Sequence, residues 1–414
     1  MRTVIAKGNC LFCICLFVAA VSAQTPHPAL TKEQWRQDLQ YLAQELPRRH
    51  KNAFHTVSKE QFERAVAALD AAIPSLAEYE ILVALRRIVA MIGDAHTALE
   101  PPENFHRYPL TLYRFGNDVR VIRTTANYKA ALGARVVGVG SLGIAEASAK
   151  VDALTPHEND QFVRFRGISM MQLAEVLHAL KIVPDLQHAQ WTFENASGER
   201  FSLQLEAIPQ DEKVEWLSSL KAVPLYRERL DELMWFKQLP ESQTVYLNLR
   251  VYPDAATFKR VAEEFWKEVD RSQPRRLIID VRQSFGGDFI KFQTHLLKEL
   301  KRRSAFQRPG SLYVIIGRST VSAAMVNAIE LRKDLNAILV GEPTGSKPNN
   351  YSENDQLTLP NSRLEVSFST RYYKLQDQDT QSVMPDKLIE PSWETYPSGR
   401  DPVMEWILAQ PLGK

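Results

Sequence analysis

From Thr244 onward the chain alternates apolar strand-like runs with amphipathic helical ones: TVYLNLRVY, TFKRVAEEFWKEVDR, RRLIIDVRQ, IKFQTHLLKELKRR, SLYVIIGRS, SAAMVNAIELRKDL and AILVGEP. The strands are apolar throughout rather than at every second position. That pattern belongs to a sheet covered by helices on both faces, an α/β core with parallel strands. It places the largest core of the chain in residues 244–414. In such sheets ligands bind beyond the carboxyl ends of the strands. Here those ends read DVRQSFGGD, GRSTVS and GEPTGSK.

The preceding residues divide by texture. Basic Arg2 and Lys7, an apolar stretch from Leu11 to Val21 and the small residues Val21-Ser22-Ala23 predict a signal peptide over 1–23, cut after Ala23. The apolar stretch is shorter than the roughly 20 residues of a membrane span, so the mature chain is expected to be exported, periplasmic or extracellular, without a span. Cys10, Cys13 and Cys15 all lie in this peptide, so its removal takes every thiol with it and excludes disulfides, thiolate zinc sites and a cysteine nucleophile. Removal of Arg2 and Lys7 also leaves 49 basic and 49 acidic residues, a balance that does not suit nucleic acid or an anionic membrane as the main partner.

Residues 24–106 read as a helical lobe, in which EQWRQDLQYLAQEL puts Trp35, Leu39, Leu42 and Leu46 on one face and GDAHT ends the last helix. Residues 107–210 change to short strands around one or two helices, with a hairpin turn at Asn195-Ala196-Ser197-Gly198. Residues 211–243 read as a linker.

Chemistry concentrates at four places. Ser322 begins a helix directly after a strand, where unpaired N–H groups can hold an oxyanion; capping of the helix is the competing role. The stretch is not GxSxG, because Thr320 and Ala324 hold the two glycine positions. Gly286 and Gly287 leave backbone N–H groups open to a substrate, or simply make a tight turn. Lys347 lies one strand–helix unit beyond the serine on a Gly/Pro-bounded loop, where desolvation can turn an amine into a base, although most loop lysines are solvated. His96, two residues after Asp94, is either a general base offered by the lobe or part of a helix-end polar cluster. Asp280 and Arg282 read as structural partners. No His, Asp or Glu spacing suits a metal, and no P-loop or GxGxxG supports a nucleotide, so neither metal nor cofactor is expected.

Taken in order, IIDVRQSFGGDF, GRSTVSAAMVNAIEL, AILVGEPTGSKPN and MPDKLIEPS resemble the C-terminal processing, or tail-specific, serine peptidases over roughly Thr244 to Pro402. ALGARVVGVGSLGIAEASAKV resembles a divergent PDZ-like domain. The resemblance implies a ClpP/crotonase-like core and an acyl-enzyme on Ser322. It implies Lys347 as general base and an oxyanion hole from Gly286 or Gly287 with Ala323. GDAHT is similar to the related tricorn-like and interphotoreceptor-retinoid-binding-protein-like branch, which makes His96 the alternative base. Peptide or unfolded protein is the expected substrate. A non-catalytic peptide- or apolar-ligand-binding protein on the same scaffold is the competing class.

Overall fold

The computed structural model describes residues 30–412; the expected signal peptide and its cysteines lie outside them. Six strands form the C-terminal sheet in the order Met234–Leu239, Thr244–Leu249, Arg276–Asp280, Leu312–Ile316, Ile338–Gly341, Lys387–Leu388. All pairings are parallel except the first. Alternation explains the continuous apolarity. Val245, Leu247, Leu277, Ile279, Val314 and Ile316 face the helices Ala255–Ser272 and Ser322–Leu335. Tyr246, Ile278, Tyr313 and Ile315 face the opposite way, onto Val403, Met404 and Ile407 of the C-terminal helix Pro402–Ala409. With both faces covered, this sheet is a buried slab, and ligands of such sheets bind beyond the strand ends. The α/β architecture expected from the alternation is the one observed.

The helices Lys32–Arg49, Lys59–Ala72 and Glu78–Ala90 form the lobe, and Trp35, Leu39, Leu42 and Leu46 are buried as the periodicity requires. Their core is completed from far along the chain. A long hairpin, Asn349–Thr358 and Glu365–Lys374, leaves the C-terminal domain and packs Leu357, Leu359, Val366 and Phe368 into the lobe. Asp38, fully buried, accepts from the N–H groups of Asn361 and Ser362 at 2.8 Å each and so anchors the tip of the hairpin. The segment that begins just after Lys347 therefore also roofs the lobe.

The middle region is an antiparallel sheet, with Leu217–Ser218, Asp118–Thr124, Arg135–Val139, His188–Glu194 and Arg200–Glu206 in spatial order. Trp191, Phe193, Val121 and Val136 share its core with residues of the helices Ile144–Asp152 and Ala174–Ala179. Gly198, at φ +84°, closes the hairpin expected at Asn195–Gly198. The expected linker supplies strands to both sheets, Leu217–Ser218 here and Met234–Leu239 to the C-terminal one.

Arg318 stitches the middle region to the C-terminal sheet. It is 2% exposed, donates to Arg114 O at 2.8 Å and pairs with Glu342 Oε1 at 2.6 Å. Burial outweighs this guanidinium and, with Glu390 adding like charge, pushes the Glu342 carboxyl up to about 7. The unfolded chain ionises such a group near 4.5. Between those values the unfolded state has already lost the proton that the folded state keeps, so this group's contribution to stability falls as pH rises from about 4.5 to 7. Glu342→Gln should flatten that part of the curve, as denaturant unfolding measured across pH 4.5–8 would show; an unchanged slope would place the titration elsewhere.

Candidate functional site

Three hydroxyls follow the strand Leu312–Ile316, and two of them are consumed by structure. Ser319 Oγ donates to Arg282 O at 2.8 Å, and Thr320 Oγ1 donates to Val281 O at 2.7 Å while accepting from Gly317 N at 2.9 Å. These bonds tie the ends of two neighbouring strands together. Ser322 is different. The residue capping the helix Ser322–Leu335 is Val321, with no side-chain cap, so the capping role is not what Ser322 performs. Its φ is +51°, in the left-handed region that side chains seldom occupy. It is only partly buried, and its Oγ makes no hydrogen bond among the described residues. A strained residue with an idle hydroxyl at a helix N-terminus is the pattern expected of a presented nucleophile.

Gly286 explains how the turn is held. Its φ is +88°, and a Cβ built on it would stand 2.7 Å from Ala323 N, 2.9 Å from Ser322 Cβ and 2.9 Å from Val321 O. No side chain fits there. Gly287 is turned elsewhere: at φ +148°, its Cβ would meet Tyr252 Cβ at 2.6 Å. The Ala323 N–H, second in its helix, has no intrahelical acceptor. The Gly286 N–H makes one long contact, 3.4 Å to Ser284 Oγ. Gly286 thus lies against the start of the helix that carries Ser322 and the Ala323 amide, a donor of the kind that can hold an oxyanion.

The loop carrying Lys347 lies along the serine turn. Gly345 N donates to Thr320 O at 3.2 Å, and Ser322 N points at Ser346 Oγ at 3.4 Å. The amine itself faces outward, with Lys347 Nζ 3.2 Å from Asp379 Oδ2. No hydrogen bond joins it to Ser322 among the described residues.

His96 is linked to the same loop by a different route. Asp94, fully buried, accepts from His96 N at 2.9 Å, Thr97 Oγ1 at 2.7 Å and Ser369 Oγ at 2.9 Å, and pairs with His50 Nε2 at 2.7 Å. Asp94 is thus the knot that shapes the GDAHT turn, not a partner of the imidazole ring. Two other residues meet the ring: Ser352 Oγ lies 3.2 Å from Nε2, and Glu158 Oε1 lies 3.8 Å from Nδ1. Burial opposes a charge on His96, but Glu158 and Asp94 outweigh it and hold the ring above its usual value. Glu158 Oε2 also accepts from Lys347 N at 3.0 Å. A continuous chain of contacts thus runs from His96 through Glu158 to the loop that lines Ser322.

Sequence reasoning missed Glu158 and Ser352. Ser352 lies in a polar stretch, and Glu158 has no neighbour along the chain that marks it. Serine, histidine and carboxylate in that order resemble a catalytic triad around Ser352. Ser352, however, sits inside the edge strand Asn349–Thr358, with no helix start beside it, whereas a helix start and the glycine turn adjoin Ser322.

Asp280 and Arg282 are structural, as expected. Arg282 bridges Asp280 and Asp401 at 2.9 Å each beneath the sheet edge. Among the described residues no group of His, Cys, Asp and Glu could hold a metal ion, and no helix is long and apolar enough to cross a membrane.

No protein-family model and no curated protein matches the chain. Solved structures do. Mature CPAF complexed with lactacystin superimposes with a TM-score of 0.60 over 92% of this chain and 97% of its own, at 12% identity. The chain has the CPAF fold. Mature CPAF alone gives 0.59 over 92% and 96%, also at 12% identity. The photosystem II D1 C-terminal processing protease gives 0.41 over 90% and 98%, at 15% identity. The likeness to CPAF spans the lobe, the middle region and the C-terminal sheet, so all three belong to one shared architecture.

Proposed function

We propose that this chain is an exported serine peptidase that cleaves peptide bonds through an acyl-enzyme on Ser322. The observation that carries the proposal is the state of that residue. It is left-handed at a helix start with a free hydroxyl, and Gly286 and the Ala323 N–H stand beside it. Its peptide substrate and its chemistry are supported by the resemblance to tail-specific serine peptidases and by the fold shared with CPAF, a protein solved in complex with lactacystin. Export is supported by the signal-peptide pattern of residues 1–23. The PDZ-like reading of the middle region would give it a share in holding the substrate.

In this mechanism Ser322 Oγ attacks the carbonyl carbon, its proton passes to a base, and the base returns it to the leaving amine. Backbone amides of Gly286 or Gly287 and of Ala323 hold the oxyanion. A base must face the hydroxyl it deprotonates. The Lys347 amine, the base implied by the family resemblance, is turned to Asp379, whereas His96 has a carboxylate on one nitrogen and a serine hydroxyl on the other. His96 is therefore the base we favour, its Nε2 already facing a serine hydroxyl, that of Ser352. Catalytic contacts commonly tighten only in the substrate complex.

Two substitutions separate the bases. His96→Ala should lower kcat by about 10³-fold or more on an unfolded protein substrate, the scale of losing a triad base. Lys347→Ala should lower it less than about tenfold. The reverse ranking would restore Lys347. A fluorophosphonate or β-lactone probe with peptide mapping tests the nucleophile: label on Ser322 is expected, and label on Ser352 would overturn the assignment. No label at all would favour a binding protein on this scaffold.

A further inference from the structure

Glu158 belongs to neither the lobe that carries His96 nor the sheet that carries Ser322. It lies in the middle region, directly before Asn159, the capping residue of the helix Asp160–Met170. Its side chain is 4% exposed. Such a buried carboxylate needs partners, and all of those it has are at the site. Oε2 accepts from Lys347 N at 3.0 Å, and Oε1 lies 3.5 Å from Ala95 N and 3.8 Å from His96 Nδ1. His96 Nδ1 is itself buried and has no hydrogen-bond partner among the described residues; the acid within ion-pair range of it is Glu158. At 3.8 Å the pair is in ion-pair range but beyond a hydrogen bond, so a small ring rotation completes it.

Asn159 fixes this arm in place. Its Nδ2 donates to Thr344 O at 3.1 Å, Gln381 O at 2.7 Å and Ser382 Oγ at 3.0 Å, and its Oδ1 accepts from Phe162 N at 3.0 Å. The two residues Glu158 and Asn159 thus clamp the middle region onto the loop 344–347 beside Ser322.

Resting on the serine–histidine reading above, we infer that Glu158 is the positioning residue of His96. A carboxylate at Nδ1 keeps the proton on that nitrogen and leaves the Nε2 lone pair toward a serine hydroxyl. It also stabilises the imidazolium that forms when the base takes the serine proton. The catalytic set is then divided among three parts of the chain: nucleophile from the sheet, base from the lobe, orienting acid from the middle region. The base is correctly set only while the middle region is docked.

Other groups around His96 do not take this role. Asp94, on the same turn, binds the His96 N–H and its oxygens are shared with Thr97, Ser369 and His50. The hairpin offers the Tyr351 backbone and the Ser352 hydroxyl. His157 turns to Thr155 O at 2.7 Å, and the Lys347 ammonium to Asp379.

The test is the pH profile of kcat/KM for the full chain with Glu158→Gln and Glu158→Asp, beside probe labelling of the wild type at Ser322. Glu158→Gln keeps shape and the Lys347 N–H bond but removes the charge. It should lower kcat/KM about 10²-fold or more and move the acidic limb down by about one pH unit, since a favourable charge within 4–6 Å is lost. Glu158→Asp should return the limb toward the wild-type position. Should a variant be poorly active or poorly folded, the His96 ring proton titration followed by NMR in Ser322→Ala, with and without Glu158→Gln, reads the same interaction without turnover; its midpoint is expected to fall. Labelled wild type with an unmoved limb and midpoint overturns Glu158 alone. An unlabelled wild type whose hydrolysis survives Ser322→Ala overturns the serine reading beneath it.

Discussion

Ser322→Ala should abolish hydrolysis of an unfolded protein substrate while leaving thermal unfolding nearly unchanged. The expected loss is at least about 10⁴-fold in kcat, because removing the nucleophile of such a set leaves only binding and oxyanion stabilisation. Stability should hardly move because the Ser322 hydroxyl makes no hydrogen bond among the described residues, whereas those of Ser319 and Thr320 hold the strand ends. Neighbouring substitutions supply the contrast. Thr320→Val would leave the Gly317 N–H unpaired in a fully buried place, while the Val281 carbonyl keeps its bond from Ser284 N. That should cost about 1–3 kcal/mol. A variant series in which Ser322→Ala destabilised and kept its activity would mean that this hydroxyl is a structural one after all.

Gly286→Ala carries the second large effect, and both function and stability should suffer. The new methyl would be placed 2.7 Å from Ala323 N, a backbone atom that cannot rotate away, at a φ of +88°. The backbone strain alone costs roughly 1–3 kcal/mol. Displacing the helix start moves the Ala323 amide away from the developing oxyanion, and loss of one such donor is worth about 10²–10³ in kcat. Gly287→Ala is the informative comparison. Its methyl would strike Tyr252 Cβ at 2.6 Å, so it should destabilise as much while disturbing the serine turn less. Folding measured by denaturant titration and acylation rate measured with a fluorophosphonate should therefore diverge between the two. Equal acylation by Gly286→Ala and wild type would remove this glycine from the site.

Much of the scaffold was legible because it follows from periodicity. The apolar runs LII and LYVII had one explanation, burial on both faces, and that implied parallel strands with their chemistry at the carboxyl ends. Trp35, Leu39, Leu42 and Leu46 marked a helix face in the same way. The hairpin 349–374 was not legible as part of the lobe. Its residues Tyr351 to Asp355 are mixed and polar, and its apolar residues Leu357, Leu359, Leu364, Val366 and Phe368 meet helices more than 250 residues earlier in the chain.

The site divides in the same manner. Ser322, the glycine pair and the helix start could be read locally, since strand, turn and helix are adjacent in sequence and fix one another's geometry. Which group stands behind the serine could not. Lys347 has the right distance along the chain, but the direction of its side chain is decided by Asp379 across the loop. Glu158 carries no signal at all in its own neighbourhood; its meaning comes from being buried between His96 and Lys347 N. Sequence alone determined the sheet, its open edge and the candidate hydroxyl, because hydrophobic period and turn chemistry act over a few residues. Tertiary structure alone decided what faces His96 and Lys347, because a charge acts through space on whatever the fold brings within a few ångströms, however far apart along the chain.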